Sequence, residues 1–189
     1  MDKFVTRPGF PLLALCRCAA IDDVGLANQE KKLLRETRSK GPLQVLLVED
    51  EPVQARLVKE LLTRGSEEGR PCQVTVCANL SAALSHQEPV DAVILDIGLP
   101  DADPEQVVPR IVSRFAGKAV VVLTGRDART HGEKAITQGA QDFLSKDEID
   151  GPALYRALRY AMVRVRLASA LDKTGKDTAG SDRPEPRKS

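Results

Sequence analysis

The sequence is poor in aromatic residues, which make up 3% of its 189 residues and include no Trp. A flavin carrier needs aromatic side chains to sandwich its ring, so this composition argues against that function. Cysteines are also few, and they form no metal-binding pattern. Cys16 and Cys18 lie close together, but neither a His nor a second close Cys pair accompanies them, which argues against a zinc site.

A strong net charge and a long apolar run are absent as well. The formal net charge is +1, with an acidic central part and weakly basic ends. Proteins that bind nucleic acid usually concentrate basic residues on one face, so we expect no nucleic-acid partner. No run is long enough to span a membrane, and Arg17 interrupts the apolar stretch near the N-terminus. We therefore expect a cytoplasmic protein with reduced thiols and no membrane partner.

Short apolar runs alternate with helical patterns across the middle of the chain. The strand-like segments are 45–48, 73–77, 92–95, 119–123 and 143–144, and of these 45–48, 92–95 and 119–123 are continuously apolar. Continuous apolar runs of this length are typical of strands that are buried on both faces of a parallel sheet. The alternation predicts five βα units, and hence an α/β fold with helices on both faces of a parallel sheet.

The helical segments follow from apolar spacing and from Pro and Asn residues at their starts. We predict helices from Pro52, from Asn79 or Ser81 to Leu84, from Pro104, over 129–138, and from Ala153 to about Leu171. Pro109 should lie in the exposed first turns of the third helix or kink it. The last helix has a second apolar line, Val163, Leu167 and Leu171, beyond the line that should face the sheet. This line predicts a homodimer or, alternatively, docking of an N-terminal extension near Leu33 and Leu34 or of a missing output domain.

We predict three regions along the chain. Residues 1–42 form a flexible or loosely docked extension, residues 43–171 form one domain that includes the extended last helix, and residues 172–189 form a disordered tail rich in Gly, Pro and charge. The domain is long enough to bury a proper core.

Polar side chains end four of the predicted strands. They are Glu49, Asp50, Asp96, Thr124 and Lys146. The carboxyl ends of parallel strands share one edge of the sheet, where such sheets bind ligands. Three carboxylates placed together repel one another, so a cation is needed, and Mg²⁺ prefers oxygen ligands and pairs with phosphate. The set therefore predicts a cation-dependent phosphoryl site.

The order and context of these elements resemble the receiver domain of two-component response regulators. The resemblance covers roughly residues 43–167 and is carried by Val48-Glu49-Asp50-Glu51, Leu95-Asp96, Leu123-Thr124-Gly125 and the run from Gly139 to Lys146. It implies a flavodoxin-like, doubly wound sheet of five parallel strands in the order 2-1-3-4-5.

The resemblance also implies a role for each site residue. Asp96 is the phosphoacceptor, and Asp50 and Asp96 bind Mg²⁺ directly. Glu49 binds it through water, and the backbone carbonyl of Gly98 is a further ligand. By the same resemblance, Thr124 is the switch hydroxyl, Lys146 contacts the phosphoryl oxygens and Phe143 is the rotating aromatic residue. Many receivers carry Pro in a cis bond after the lysine, where this chain has Asp147.

We predict a single-domain response regulator that is not an enzyme. It would accept a phosphoryl group from a sensor histidine kinase or a histidine phosphotransfer protein and switch contacts with an unknown downstream protein. The alternatives are a degenerate receiver that binds partners without phosphorylation, and a phosphorelay intermediate or phosphate sink. A phosphatase of the haloacid-dehalogenase type needs an acid two residues after its nucleophile, where this chain has Gly98.

Overall fold

A central parallel sheet of five strands organises the described part of the chain. The computed structural model describes residues 41–66, 70–125, 128–147 and 149–178. The strands are β1 Leu43–Val48, β2 Cys72–Cys77, β3 Ala92–Asp96, β4 Ala119–Thr124 and β5 Asp142–Ser145. Every pairing is parallel, and the order is β2-β1-β3-β4-β5, which confirms the predicted flavodoxin-like topology.

In the described ranges, five helices cover the two faces of this sheet. They are α1 Pro52–Gly65, α2 Leu80–Ser85, α3 Pro104–Arg114, α4 Ala128–Thr137 and α5 Gly151–Thr178. One apolar core lies between the sheet and residues of α2, α3 and α4, and the other lies between the sheet and residues of α1 and α5. Strands β3 and β4 are buried along their whole length because helices cover both of their faces, as their continuous apolar sequences predicted.

Local sequence signals set the beginnings of the helices. Pro52 begins α1, and Asn79 caps α2 by accepting a hydrogen bond from the backbone N–H of Ala82. Asp103 caps α3 just before Pro104. Pro109 lies inside α3 on its exposed side, where the ring does not disturb the core.

Helix α5 differs from its prediction in two ways. It continues to Thr178, about two turns beyond the predicted end at Leu171, so the boundary of the predicted tail at residue 172 is wrong. Val163 is 2% exposed, so the prediction that the whole second apolar line lies beyond the packing of the domain itself is also wrong. Leu167 is half-buried, whereas Leu171 is 50% exposed.

Helices α1 and α5 approach each other at two glycines. A methyl group added to Gly65 would lie 2.1 Å from the carbonyl oxygen of Gly151, and one added to Gly151 would lie 2.7 Å from the carbonyl oxygen of Leu61. Such distances exclude any side chain at either position. The start of α5 is therefore fixed against the end of α1 by direct backbone contact.

The predicted features at the two ends of the chain lie outside the described residues. These are the extension over 1–40, with Cys16, Cys18 and the Leu33–Leu34 pair, and the last residues of the predicted tail.

Candidate functional site

Three carboxylates meet where β1 and β3 end. Glu49 and Asp50 follow β1 directly, and Asp96 is the last residue of the adjacent strand β3. One carboxylate oxygen from each of the three residues lies within 4.8 Å of the other two. Glu49 and Asp96 are buried, whereas Asp50 is exposed. The topology therefore brings together the three acids that the sequence predicted at this edge.

Lys146 reaches into this cluster from the end of β5. Its Nζ atom lies 2.7 Å from Oε2 of Glu49 and 2.8 Å from Oδ2 of Asp96. Burial lowers the pKa of Lys146, but hydrogen bonds to Asp96 and Glu49 and their negative charges outweigh it, so the pKa lies above its usual value. Lys146 is therefore a fixed cation between two buried acids.

Burial disfavours the charged form of Glu49. Burial raises the pKa of Glu49 and the charge of Asp96 adds to the rise, while the hydrogen bond from Lys146 opposes it. The backbone N–H of Glu51 also donates to Glu49 Oε1, at 3.3 Å. Glu49 is thus held in place by two donors despite its burial.

Asp96 is held by one donor on each carboxylate oxygen. The backbone N–H of Gly98 donates to Oδ1 at 3.1 Å, and Lys146 donates to Oδ2. Two donors on different oxygens fix the plane of the carboxylate. A carboxylate with a fixed plane and a cation beside it is suited to nucleophilic attack on an anionic phosphoryl group.

Thr124 ends β4 one register position beyond the pair of Asp96 and Leu123. The residue is 1% exposed, and within the described ranges its Oγ1 is the buried side-chain polar atom without a hydrogen-bond partner. An unsatisfied buried hydroxyl costs about 1–3 kcal/mol. The hydroxyl is therefore available to an acceptor that enters the site, such as a phosphoryl oxygen.

The turn after β5 places Lys146 without a cis bond, since the described residues contain no cis peptide. The backbone N–H of Lys146 donates to the carbonyl of Thr124 at 2.7 Å, and the N–H of Asp147 donates to Oγ of Ser145 at 3.3 Å. These two hydrogen bonds fix the turn that a proline fixes in many receivers.

Phe143 packs against the backbone of α4 at Gly132. A methyl group added to Gly132 would lie 2.1 Å from Cδ2 of Phe143. The ring is partly buried on the same core as α2 and α3. A glycine inside a helix weakens it by roughly 0.5–1 kcal/mol, and here the close contact with the ring explains its presence. Sequence reasoning missed Gly132, although an isolated Gly in a helical pattern was the available signal.

Sequence reasoning also assigned no role to Asp101. Its carboxylate accepts hydrogen bonds from the backbone N–H groups of Leu80 and Ser81, both at 2.9 Å, and from the Ser81 hydroxyl at 3.0 Å. No periodicity indicates a pairing over some twenty residues, so the sequence carried no signal for it.

The acid cluster suits a divalent metal ion. Glu49, Asp50 and Asp96 offer hard carboxylate oxygens, the ligand type that Mg²⁺ prefers. The exposed position of Asp50 leaves one side of the cluster open to solvent, which suits an ion that retains several waters. These residues therefore fit Mg²⁺.

The response regulator receiver domain profile matches residues 45–159. This chain belongs to the response regulator receiver domain family. The receiver is 33% identical over 116 residues to the transcriptional regulatory protein TrcR of Mycobacterium tuberculosis, an alignment that covers 61% of this chain and 44% of that protein. It is 31% identical over 106 residues to the TorCAD operon transcriptional regulatory protein TorR of Escherichia coli, covering 56% of this chain and 44% of that protein.

Solved receiver structures share the fold. A receiver domain protein from Clostridium thermocellum matches with a TM-score of 0.57 and 22% identity, over 67% of this chain and 98% of that one. The signal receiver domain of a Luxo repressor protein from Vibrio parahaemolyticus matches with a TM-score of 0.57 and 26% identity, over 69% of this chain and 97% of that one. The alignments with the curated relatives, by contrast, span about half of those proteins. Among the described helices, none is long and apolar enough to cross a membrane.

Proposed function

We propose that this receiver accepts a phosphoryl group on Asp96 from a phosphohistidine donor and switches protein contacts in response. The observation that carries the proposal is the convergence of Glu49, Asp50 and Lys146 on Asp96, with Lys146 Nζ 2.8 Å from its carboxylate. The donor would be a sensor histidine kinase or a histidine phosphotransfer protein.

In the proposed transfer, an oxygen of Asp96 attacks the phosphorus atom. A new P–O bond forms, the P–N bond to the donor histidine breaks, and the imidazole nitrogen leaves with the bonding electrons and takes up a proton. Lys146 neutralises charge on the incoming phosphoryl oxygens, because its ammonium group already lies beside Asp96. The unpartnered hydroxyl of Thr124 donates to another of those oxygens.

Mg²⁺ would be held by Asp50, Asp96 and Glu49, with the backbone carbonyl of Gly98 as a further proposed ligand. When bound, the ion neutralises negative charge during phosphoryl transfer. Glu49 also fixes Lys146 through its hydrogen bond, so the same side chain serves both the cation site and the lysine.

The proposed switch passes from Thr124 to α4 and Phe143. The Thr124 hydroxyl has no hydrogen-bond partner among the described residues, so a phosphoryl oxygen that accepts from it favours conformations that bring the two together. Amide exchange with and without beryllofluoride should differ most over 124–138 and the start of α5. Equal exchange in both states would instead support a phosphorelay intermediate or a phosphate sink.

We further propose that output is by protein contact, in a stand-alone mode, in the cytoplasm and without enzymatic turnover of a small substrate. Helix α5 supports this, since Tyr160 and Leu171 are 46% and 50% exposed on a helix that also carries four arginines. Aromatic residues and Arg are enriched at protein interfaces, which supports a protein partner for this helix.

The deciding experiment is intact-mass measurement after incubation with acetyl phosphate and Mg²⁺. The wild-type chain should gain one phosphoryl group, and Asp96→Asn should gain none. Asp103→Asn is the matched control, because Asp103 lies in the same loop but outside the acid cluster, and it should behave like the wild type. A wild-type chain that binds Mg²⁺ but never gains mass would support the degenerate receiver.

A further inference from the structure

We propose that Asp101 is a positioning residue for the phosphoryl site: it ties the loop that carries Asp96 and Gly98 to the first turn of α2. The inference rests on the proposed function, and it assigns a role to a residue outside the acid cluster. Asp101 itself touches none of the reacting groups.

The contacts of Asp101 are long-range and complete. Both oxygens of its carboxylate are used, with Oδ1 accepting from the N–H of Leu80 and Oδ2 accepting from the N–H and the hydroxyl of Ser81. Asp103, two residues later, makes only a local cap with the N–H of Glu105 at 2.9 Å. The two acids of one loop therefore have different partners, and only Asp101 joins the loop to another helix.

The hydrogen bonds of Asp101 help to connect the three loops that surround the acid cluster. The N–H of Glu49 donates to the carbonyl of Cys77 at the end of β2, at 3.0 Å. The chain then runs from Cys77 through Asn79 into α2, whose first N–H groups bind Asp101. From Asp101 the loop leads back to Gly98, whose N–H holds Asp96. The loops after β1, β2 and β3 are thus joined, and each bears on the position of a carboxylate.

A carboxylate is the side chain that this position requires. The first N–H groups of a helix have no partner within the helix, and the helix dipole favours a negative charge beside them. Asn79 satisfies the N–H of Ala82, which leaves those of Leu80 and Ser81 for Asp101. The hydrogen bonds from Ser81 and Leu80 hold the pKa of Asp101 below its usual value, as expected for a carboxylate that works in its charged form.

The loop is also anchored by the buried side chain of Leu99, and Ile97 and Ala102 are partly buried against the same core. With Asp101 released, Leu99 still fixes the middle of the loop, so the fold should persist. The backbone on either side of Leu99, including Gly98, should instead become more mobile. Loss of the tie should therefore weaken the metal site more than it weakens the fold.

The experiment compares Asp101→Ala, Asp101→Asn and the matched control Asp103→Ala with the wild-type chain. Calorimetric titration with Mg²⁺, the initial rate of phosphorylation by acetyl phosphate, and amide exchange over 80–85 and 97–103 are the readouts. Loss of a residue that supports a metal ligand typically lowers metal affinity by about 10–100-fold. We expect that loss for Asp101→Ala, partial rescue by Asp101→Asn, which retains one acceptor oxygen, and values near wild type for Asp103→Ala.

Amide exchange separates positioning from general destabilisation. In Asp101→Ala, exchange should rise over 80–85 and 97–103 but not in β3 or β4. Should Asp101→Ala fail to fold, Ser81→Ala removes one of the three hydrogen bonds and should give a smaller drop in Mg²⁺ affinity. Unchanged affinity in every Asp101 and Ser81 variant overturns the inference, as does an equal drop in Asp103→Ala. A wild-type chain that takes up neither Mg²⁺ nor phosphoryl overturns the proposed function with it.

Discussion

Lys146 and Asp96 form an ion pair of 2.8 Å between the turn after β5 and the end of β3. Lys146 also pairs with Glu49, whose side chain is 1% exposed, rather than with the exposed Asp50. The single positive charge of the lysine offsets one of the two negative charges of the buried acids, and Asp50, which does not pair with the lysine, remains free to meet a cation. This division of charge leads to the first prediction.

Asp50→Ala should abolish Mg²⁺ binding while the domain stays folded. Asp50 is exposed and adds a third negative charge beside Glu49 and Asp96, so its removal relieves repulsion. Without metal, the free energy of unfolding should stay the same or rise by up to about 1 kcal/mol. Calorimetric titration and urea unfolding in EDTA measure the two effects. Glu51→Ala is the control, because it removes an exposed acid outside the cluster and should leave Mg²⁺ binding intact. If Asp50→Ala instead fails to fold but keeps normal metal affinity, the role of Asp50 is structural.

Glu49 should make the metal-free domain less stable as the pH rises. Its pKa in the folded state is raised above 4.5, mainly by burial, so above pH 4.5 the unfolded state releases this proton more readily than the folded state. The contribution of Glu49 to stability therefore falls from pH 4.5 up to the raised pKa. Glu49→Gln removes this contribution, so its free energy of unfolding should decline less over that window. Urea unfolding in EDTA at several pH values tests this, and parallel curves for the two proteins would contradict it.

Gly132→Ala should destabilise the domain, although alanine favours a helix over glycine by roughly 0.5–1 kcal/mol. The added methyl group meets the ring of Phe143, and overpacking of this kind typically costs about 1–3 kcal/mol. In a Phe143→Ala background the ring is gone, so the same substitution should become stabilising. A double-mutant cycle by urea unfolding measures the coupling. Equal effects of Gly132→Ala in both backgrounds would show that the ring moves away freely.

Leu167→Glu tests what covers the outer side of α5, which is the side that carries Val163, Leu167 and Leu171. Val163 is buried and Leu167 half-buried, whereas Leu171 is half exposed. We predict that a second copy of the chain contacts this side, so the wild type should sediment as a dimer and Leu167→Glu as a monomer. Exposed Arg156→Glu on the same helix is the control for charge alone.

The alternative occupant is the segment before residue 41, and a truncated chain tests it. That chain should begin at Gly41, because Arg70 donates hydrogen bonds to the carbonyls of Gly41 and Pro42. A monomeric wild type that loses stability on truncation would favour the segment over a dimer. A monomeric wild type whose stability changes neither on truncation nor in Leu167→Glu would contradict both the dimer and the docked segment.

Much of this architecture could be predicted because the ends of parallel strands follow a simple geometric rule. In a parallel sheet the carboxyl ends share one edge, so Asp50, Asp96, Thr124 and Lys146 had to approach one another once their strands were recognised. Pro52 and Asn79 marked helix starts in the same local way. These features depend on neighbours in the chain and on strand order alone.

The remaining features depend on contacts between distant segments. Nothing in the sequence indicates that Lys146 pairs with Glu49 rather than with Asp50, or that Asp101 binds Ser81. Val163 falls on the predicted outer line of α5, yet it is buried, since helical spacing alone does not show which neighbours cover a side. The end of α5 was misplaced because Gly and charged residues in 172–178 suggested a tail.

The contact between Gly65 and Gly151 has a mechanical consequence for α5. Backbone meets backbone there, so this contact has no side-chain atoms that could yield, and it can act as a pivot for the helix. The 28 residues of α5 form a rod about 42 Å long. A tilt of about 5° at the pivot would carry the far end of that rod through roughly 4 Å. A small displacement of α5 near the sheet would thus become a larger displacement at its far end, where a bound partner could respond to it.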